Sequence, residues 1–340
     1  MPGHEIQGGA VVAVLTYRRT HLLPALLDEL VAQAATVEPR AGVLVVDNDP
    51  AGSAADAVLG RAGQGVRYVH EPRPGISAAR NRALVEAGDA QVLVFFDDDQ
   101  RPCPGWLARL TGAWRTWGCA AVAGPVGSVV PEPVDPWIAG SGVFDRPRKP
   151  TGSRVGGAGA GNLLLDMARV RALGLRFDDR LGLTGGEDTL LTHALVRSGE
   201  EIRWCDEAEA VEPVPPDRLT RRWVLRRCFR SGSSWSRAEL LLAAGAGERA
   251  RLRSTVVAKA AVRLPQAAGT WLAAAVAGRV AARGRAAGTL AGYCGLVTGA
   301  FGYVMGEYAR VPDAGLPGNP EDLPGGLASP VRLQEPTRAG

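Results

Sequence analysis

The sequence predicts an α/β protein with a mostly parallel central sheet flanked by helices and a helical extension at its C-terminal end. Its candidate strands "VVAVL", "GVLVVD" and "QVLVFFD" are continuous apolar runs rather than alternating ones, as expected of strands covered on both faces. Segments with apolar residues at helical spacing separate them, so strand and helix alternate. Each strand also ends in a polar or acidic residue, and in such sheets ligands bind in the crevice beyond the carboxyl ends.

The elements follow in order. Strand Val11 to Leu15 leads into "TYRRTHLLPALLDELVAQA", whose leucines recur at helical spacing, and then into "GVLVVDNDP". A helix is expected around Ser53 to Leu59, then the strand "VRYVH", a helix from about Ile76 to Ala87, and "QVLVFF" running into three aspartates. Helix "GWLARLTGAW" and strand "CAAVAGPVG" come next. A Pro- and Gly-rich stretch reaching about Gly161, with "TGSRVGGAGAGN", reads as a mobile, irregular segment lining a site. "NLLLDMARVRALG" and "EDTLLTHALVRSG" predict further helical or strand–helix elements, each closed by glycine. Beyond Pro216, arginine-rich helices precede Ala- and Gly-rich ones, and the tail from about Pro312 has the composition of a disordered segment.

Composition narrows the function. The 340 residues are 46% apolar, ample for a core, and the formal charge is only +4. That charge is uneven: from Asp217 to Arg263, twelve Arg or Lys stand against three Asp or Glu. Such a segment faces phosphates, an anionic membrane or solvent; a nucleic-acid partner is not expected. The five cysteines are far apart with no C-x-x-C pair, which suits a reducing cytoplasm and argues against structural zinc. No export signal is visible at the N-terminus. A dinucleotide dehydrogenase is disfavoured because no G-x-G-x-x-G follows the first strand, and a P-loop enzyme because G-x-x-x-x-G-K-[ST] is absent.

Three acidic clusters are the candidates for chemistry. In "FFDDDQRP", Asp97 and Asp99 form a D-x-D pair suited to a hard cation such as Mg2+ or Mn2+, though an acidic turn after a strand has the same pattern. Asp47 in "VVDNDP" is a candidate ligand contact or an Asx-turn and helix cap. Glu187 and Asp188 in "GLTGGEDTLLTHAL" open a helix, where acids are favoured in any case. His193, one helical turn further on, reads as an ordinary helix residue.

Taken together, "VLTYRR", "VVDND", "PGISAARNRAL", "FFDDDQRPCPGWL", "GNLLL", "LRFDDRLGLTGGEDTLL" and "RRWVLRRCFRSG" resemble the motif series of family-2 glycosyltransferases with the GT-A, nucleotide-sugar-binding fold. The resemblance covers residues 10–235, leaving a helical, membrane-associating extension at 236–311 and the tail at 312–340. It implies an inverting, metal-dependent transfer from a nucleotide-sugar, expected to be a UDP-sugar, to a sugar, lipid-linked or small-molecule acceptor. Thr16 and Tyr17 would border the nucleotide, Asp47 would meet the base, and Arg80 would help hold the donor. Asp97 and Asp98 would sit near the ribose and the metal shell, and Asp99 would ligate Mg2+ or Mn2+. Asp188 would be the catalytic base, with Glu187 as support or alternative, and Arg226 and Arg230 would close over the pyrophosphate. The sequence departs from the family at Arg18, where asparagine is frequent, and at Glu212, where a histidine often completes the metal site. Two other readings remain: a non-catalytic nucleotide-sugar binder, and an aspartate-dependent phosphohydrolase, which leaves Asp47 and "GGEDTLL" without a task.

From Ala286 to Gly306, 21 residues carry no charge, long enough to cross a bilayer at ~1.5 Å per residue. The pairs Gly288/Gly292, Gly295/Gly299 and Gly302/Gly306 equally suit close helix packing. A span, an interfacial segment and a packed helix pair are all open, and with the basic 217–263 segment an anionic membrane surface is a candidate partner. The expected location is the cytoplasm, peripheral at the inner face of the plasma membrane.

Overall fold

The structure, a computed structural model, describes residues 9–146 and 148–303. Alternation of strand and helix begins with β1 (Ala10–Thr16), α1 (Leu23–Ala34), β2 (Gly42–Asp47), α2 (Ala55–Leu59), β3 (Val66–His70), α3 (Ile76–Glu86) and β4 (Val92–Asp97). It continues through β5 (Arg101–Pro102), α4 (Trp106–Trp117), β6 (Ala121–Ala123), β7 (Val126–Val129), α5 (Pro136–Gly140), β8 (Arg154–Val155), β9 (Asn162–Asp166) and α6 (Met167–Ala172). Then follow α7 (Glu187–Arg197), β10 (Ile202–Trp204), β11 (Ala210–Pro213), α8 (Arg221–Leu242), α9 (Ala246–Val276) and α10 (Val280–Ala300).

Eight strands form the main sheet in the order β3-β2-β1-β4-β9-β6-β10-β8. The first four are parallel; β9 runs against both β4 and β6. Its reversal follows from its approach: β9 comes off the Pro- and Gly-rich stretch rather than a crossover helix, so no βαβ handedness rule binds it. The single strand expected in "CAAVAGPVG" is two. β6 stays in the main sheet and β7 joins a three-stranded sheet ordered β5-β11-β7. The break falls at Gly124–Pro125: proline cannot donate to a ladder, and a Cβ on Gly124 would stand 2.2 Å from the Ala208 carbonyl oxygen.

All residues of β1 and β2 are buried, and the apolar runs of the sequence are explained by helices on both faces. Val12, Val14 and Phe96 pack with Leu26, Leu27, Leu30 and Trp106 on one side, while Val11, Ala13 and Phe95 pack with Leu163, Phe177 and Leu195 on the other. The Phe96 and Trp106 rings meet edge-on at 4.7 Å. Each such side chain contributes about 1.5–3 kcal/mol by leaving water. The register then aligns the functional edge, since Thr16 pairs with Asp47 and Leu15 with Asp97.

The C-terminal helices form a layer in which α10 packs on α5, α8 and α9. The glycines of α10 are there for backbone approach: a Cβ would fall 1.8 Å from the Phe229 carbonyl oxygen at Gly295, 2.5 Å from that of Ser233 at Gly299, and 1.9 Å from that of Trp137 at Gly284. Of the three readings of 286–306, packed helices describe its observed part, and among the described residues no helix is long and apolar enough to cross a membrane. Residues 304–306, Gly306 of the last glycine pair and the tail from 312 lie outside the described residues. The boundary expected at 235 falls inside the continuous helix α8.

Two glycine substitutions separate packing from propensity. Gly295→Ala drives a methyl into the α8 backbone and is expected to cost about 1–3 kcal/mol or more. Gly269→Ala, in the interior of α9 with nothing within 4 Å of its Cβ, is expected to gain up to about 1 kcal/mol. Urea unfolding midpoints of the two variants check both signs.

Candidate active site

The carboxyl ends of β1 and β4 are joined by their side chains as well as by their ladder. Thr16 Oγ1 donates to Asp98 Oδ2 at 2.9 Å, and Arg19 Nη1 donates to Asp98 Oδ1 at 2.8 Å and Asp99 Oδ2 at 2.9 Å. Arg218, in a short turn at Pro216–Arg218, reaches Asp99 Oδ2 at 3.2 Å and also pairs with Glu212 on β11. Asp99 and Glu212 thus share one guanidinium, and Arg146 pairs with Glu212 from the other side. Among the described residues, no three His, Cys, Asp or Glu side chains are grouped to hold a metal ion.

Asp97 is held differently. Gln100 Nε2 donates to its Oδ2 at 3.3 Å, and Arg80 Nη2 lies 4.0 Å from Oδ1. Its carboxyl is pushed up to about 7, by desolvation first, against the pull of Arg80, and then by the negative charges of Asp99, Asp98 and Glu212. With 42% of the side chain still accessible, water moderates the desolvation, and the crowding of like charges is the firmer cause. Burial also raises Asp98, and the Asp99 charge adds to it, with Arg19 and Thr16 opposing. Burial works against the charge on Arg19, but Asp98 and Asp99 outweigh it and raise that guanidinium.

Arg80 and Glu187 form a buried ion pair between α3 and α7, with side chains 7% and 4% accessible. The Arg80 guanidinium also lies over the Phe177 ring, 5.4 Å from its centroid. Around this pair, α3 turns a polar face inward: Ser77 Oγ donates to the Asp178 carbonyl at 2.8 Å, and Asn81 exchanges hydrogen bonds with the backbone of Phe177 at 2.8 and 2.9 Å. The Phe177–Asp178 segment is therefore braced from α3, and α7 is tied to the same helix through the Arg80–Glu187 pair. Gly186, with φ +94°, makes the left-handed turn into α7 that a side chain would strain, and places Asp188 in its first turn.

The glycine-rich stretch runs between the two acid groups. A Cβ would stand 2.5 Å from Asp97 Oδ2 at Gly161, 3.6 Å from Asp188 Oδ2 at Gly159, and 2.5 Å from the His193 ring at Gly157. Alternate residues of this stretch face β4 and α7, and glycine at each lets the backbone pass close by. Asp188 Oδ1 accepts from the Thr189 amide at 2.6 Å, which orients the carboxylate. His193 pairs with Glu239 of α8, the structural role expected of a helix residue.

The remaining candidate residues have the following surroundings. Asp47 is fully buried, with Oδ1 accepting from the Asp49 amide at 2.9 Å and Oδ2 from the Ala54 amide at 2.7 Å and the Tyr68 hydroxyl at 3.0 Å. This is the Asx-turn and cap arrangement. Burial and the Asp47 charge push Tyr68 up to about 12, so it stays a donor. Tyr17 is half-buried beneath the Arg18 guanidinium. Arg18 has φ +56°, a region asparagine enters more readily than arginine, which gives the sequence departure at this position a backbone meaning. Arg226 is exposed and Arg230 half-buried on α8. The sequence reading missed Arg19, Arg218, Ser77 and Asn81. The spacing of Ser77, Arg80 and Asn81 on one face of α3 was a usable signal, whereas nothing local marks Arg218.

The sequence model described as glycosyl transferase family 2 matches residues 11–162. The chain is 34% identical over 229 residues to the succinoglycan biosynthesis protein ExoM of Rhizobium meliloti (strain 1021), covering 66% of this chain and 74% of that protein. Among solved structures, the mannosyltransferase PcManGT of Pyrobaculum calidifontis, in complex with GDP-Man and Mn2+, superposes with a TM-score of 0.55 at 21% identity, over 83% of this chain and 85% of that one. Residues 1–349 of S. aureus TarS, in complex with UDP, give 0.50 at 15% identity, over 84% and 90%. These two likenesses show the fold.

The crowding at Asp97 has a stability consequence. Its folded value near 7 lies above the ordinary 3.8, so the unfolded chain loses this proton first, and Asp97 destabilises the fold increasingly from pH 4 to 7 and fully above. Asp97→Asn is therefore expected to raise Tm at pH 8 in the absence of divalent cations, to raise it less at pH 5, and to leave it unchanged near pH 4. Thermal melts across that range check the sign.

Proposed function

The chain belongs to glycosyl transferase family 2, and from that premise we propose that it moves a sugar from a nucleoside-diphosphate sugar to an acceptor hydroxyl at the carboxyl ends of β1 and β4. The observation that carries the proposal is that Asp97 and Asp188 flank one glycine-lined segment, Gly157 to Gly161. One group for the donor and one for the acceptor would then stand on either side of the transferred sugar. The bound GDP-Man and UDP of the similar folds support a nucleotide donor, a UDP-sugar being our first choice. ExoM, by its name, supports a surface-polysaccharide acceptor over a small molecule.

Asp188 is the proposed base. Its Oδ1 is fixed by the Thr189 amide, and its Oδ2 faces the glycine segment, where an acceptor hydroxyl could lose its proton as it attacks the anomeric carbon. A single base and direct displacement would invert the anomeric configuration. Glu187 is better read as a positioning residue, since its carboxylate is buried against Arg80. Arg80 in turn contributes to the site by holding α3, α7 and Asp97 in one arrangement rather than by facing the nucleotide. Asp47 would shape the β2–α2 turn on which the base lies. Thr16 and Tyr17 would border the nucleotide, with Asp98 fixed between Thr16 and Arg19.

The carboxylate oxygens of Asp97 and Asp99, with Glu212 nearby, are the donor type a hard divalent cation takes. Their mutual repulsion, visible in the raised Asp97, is a charge that Mg2+ or Mn2+ would relieve. Asp97 and Asp99 would hold the ion and Glu212 would stand where a histidine is frequent in the family. When bound, it would supply charge stabilisation for the departing nucleoside diphosphate. Arg218, already paired with Asp99 and Glu212, and Arg226 and Arg230 beyond it, would add positive charge on the phosphate side. The reading carries a cytoplasmic location, peripheral at the inner face of the plasma membrane.

A screen of nucleotide-sugars for release of nucleoside diphosphate, with and without chelator, is expected to show one preferred donor and loss of turnover on chelation. Asp188→Asn is expected to cut transfer by about 10²- to 10⁴-fold with donor affinity and Tm retained. Glu187→Gln, which removes the buried charge that answers Arg80 across α3 and α7, is expected to cost about 3–5 kcal/mol of stability. Unchanged transfer by Asp188→Asn would remove it as base, and a Glu187→Gln variant of full stability with no transfer would make Glu187 the base instead.

A further inference from the structure

The sequence placed its candidate membrane contact on the 236–311 extension, with 286–306 as its apolar stretch and 217–263 as its basic one, but α10 spends its small residues against α5 and α8. Among the described residues, the unpartnered surface lies on α9. This 31-residue helix buries Val256, Ala260, Ala267 and Ala274, a stripe that packs against α10. On the opposite side, Ala258, Val262, Pro265, Gly269, Leu272 and Val276 recur at spacings of four and three, the pattern of a second apolar stripe. All six are exposed, and Val262, Leu272 and Val276 are 56%, 61% and 85% accessible. An apolar face of this length on a helix with a full partner on its other side is not needed for the fold.

The charges around the stripe point to what covers it. Arg251 and Lys259 on α9, and Arg279 just beyond it, are exposed beside this stripe, whereas Arg249 and Arg263 fall in the register of the packed one. The one acid of α9, Glu248, is engaged by Arg197 and by the Ala244 amide. A second copy of the chain set face to face would bring these cations together with no free acid on the helix to answer them. A bilayer rich in anionic lipid answers both features, taking the apolar stripe at the acyl boundary and the cations at the headgroups.

We propose that the outward face of α9 docks on an anionic lipid bilayer, lying along its surface rather than crossing it. The inference rests on α9 alone and stands or falls separately from the transfer reaction.

The test uses the full chain with vesicles of phosphatidylcholine alone or mixed with phosphatidylglycerol, followed by co-sedimentation at low and high salt. Binding is expected only to the mixed vesicles and is expected to be lost at high salt. Leu272→Asp with Val276→Asp, and separately Arg251→Glu with Lys259→Glu, are expected to weaken binding by about tenfold or more, with Tm unchanged. Absence of binding, or equal binding to both vesicle types, overturns the proposal. So does a fall in Tm of the Leu272/Val276 variant, which would mean that protein covers the face. A concentration-dependent mass of the wild-type chain in solution that this variant abolishes would assign the face to a second copy and overturn it as well.

Discussion

The arrangement of the site depends on one buried charge pair, Arg80 with Glu187. Two ions withdrawn from water are tolerated only together, so the helix that carries the arginine and the helix that carries the glutamate cannot move independently. Ser77 and Asn81 add hydrogen bonds to the same segment, and the other end of the guanidinium reaches toward Asp97. The first turn of α7, the end of β4 and the buried face of α3 therefore form one rigid unit. A hydrophobic contact at this place would stabilise as much, but it would not set the orientation of a carboxylate one residue along the chain.

Against that rigid unit stands a cluster that costs the fold energy. Asp97, Asp98, Asp99 and Glu212 repel one another, and four arginines, Arg19, Arg80, Arg146 and Arg218, stand against them, yet burial and the neighbouring charges still raise Asp97. Nearby, Arg18 holds a left-handed backbone that arginine does not favour. Local cost concentrated at one edge of an otherwise consistent fold is the usual mark of a site kept for chemistry rather than stability. The glycine stretch fits the same picture, because it gives up side-chain packing to let the backbone pass between two acids.

The C-terminal helices show how similar composition serves different ends. In α10, small residues are consumed in backbone contact with α5 and α8. In α9, an Ala- and Val-rich composition with fewer glycines leaves one side of the helix facing outward beside Arg251 and Lys259. Hydropathy along the chain does not separate the two; the direction in which each stripe faces does.

By itself the sequence determined the architecture and the sheet edge on which the candidate residues stand. Continuous apolar strands, helical spacing and glycine punctuation are local patterns with local causes, so the βα alternation, the edge bearing Thr16, Asp47 and Asp97, and the glycine-rich lining could all be read in advance. The tertiary structure decided which charges meet. Thr16 finds Asp98 from 82 residues away and Arg218 finds Asp99 from 119, and no periodicity encodes either pairing. It also turned Asp47 inward to cap its own loop, paired Glu187 with Arg80, split the strand at Gly124–Pro125, and put the open apolar face on α9 instead of α10. Each of these is a choice among partners of similar chemistry, and such a choice is made only when packing brings one of them within hydrogen-bonding or van der Waals reach.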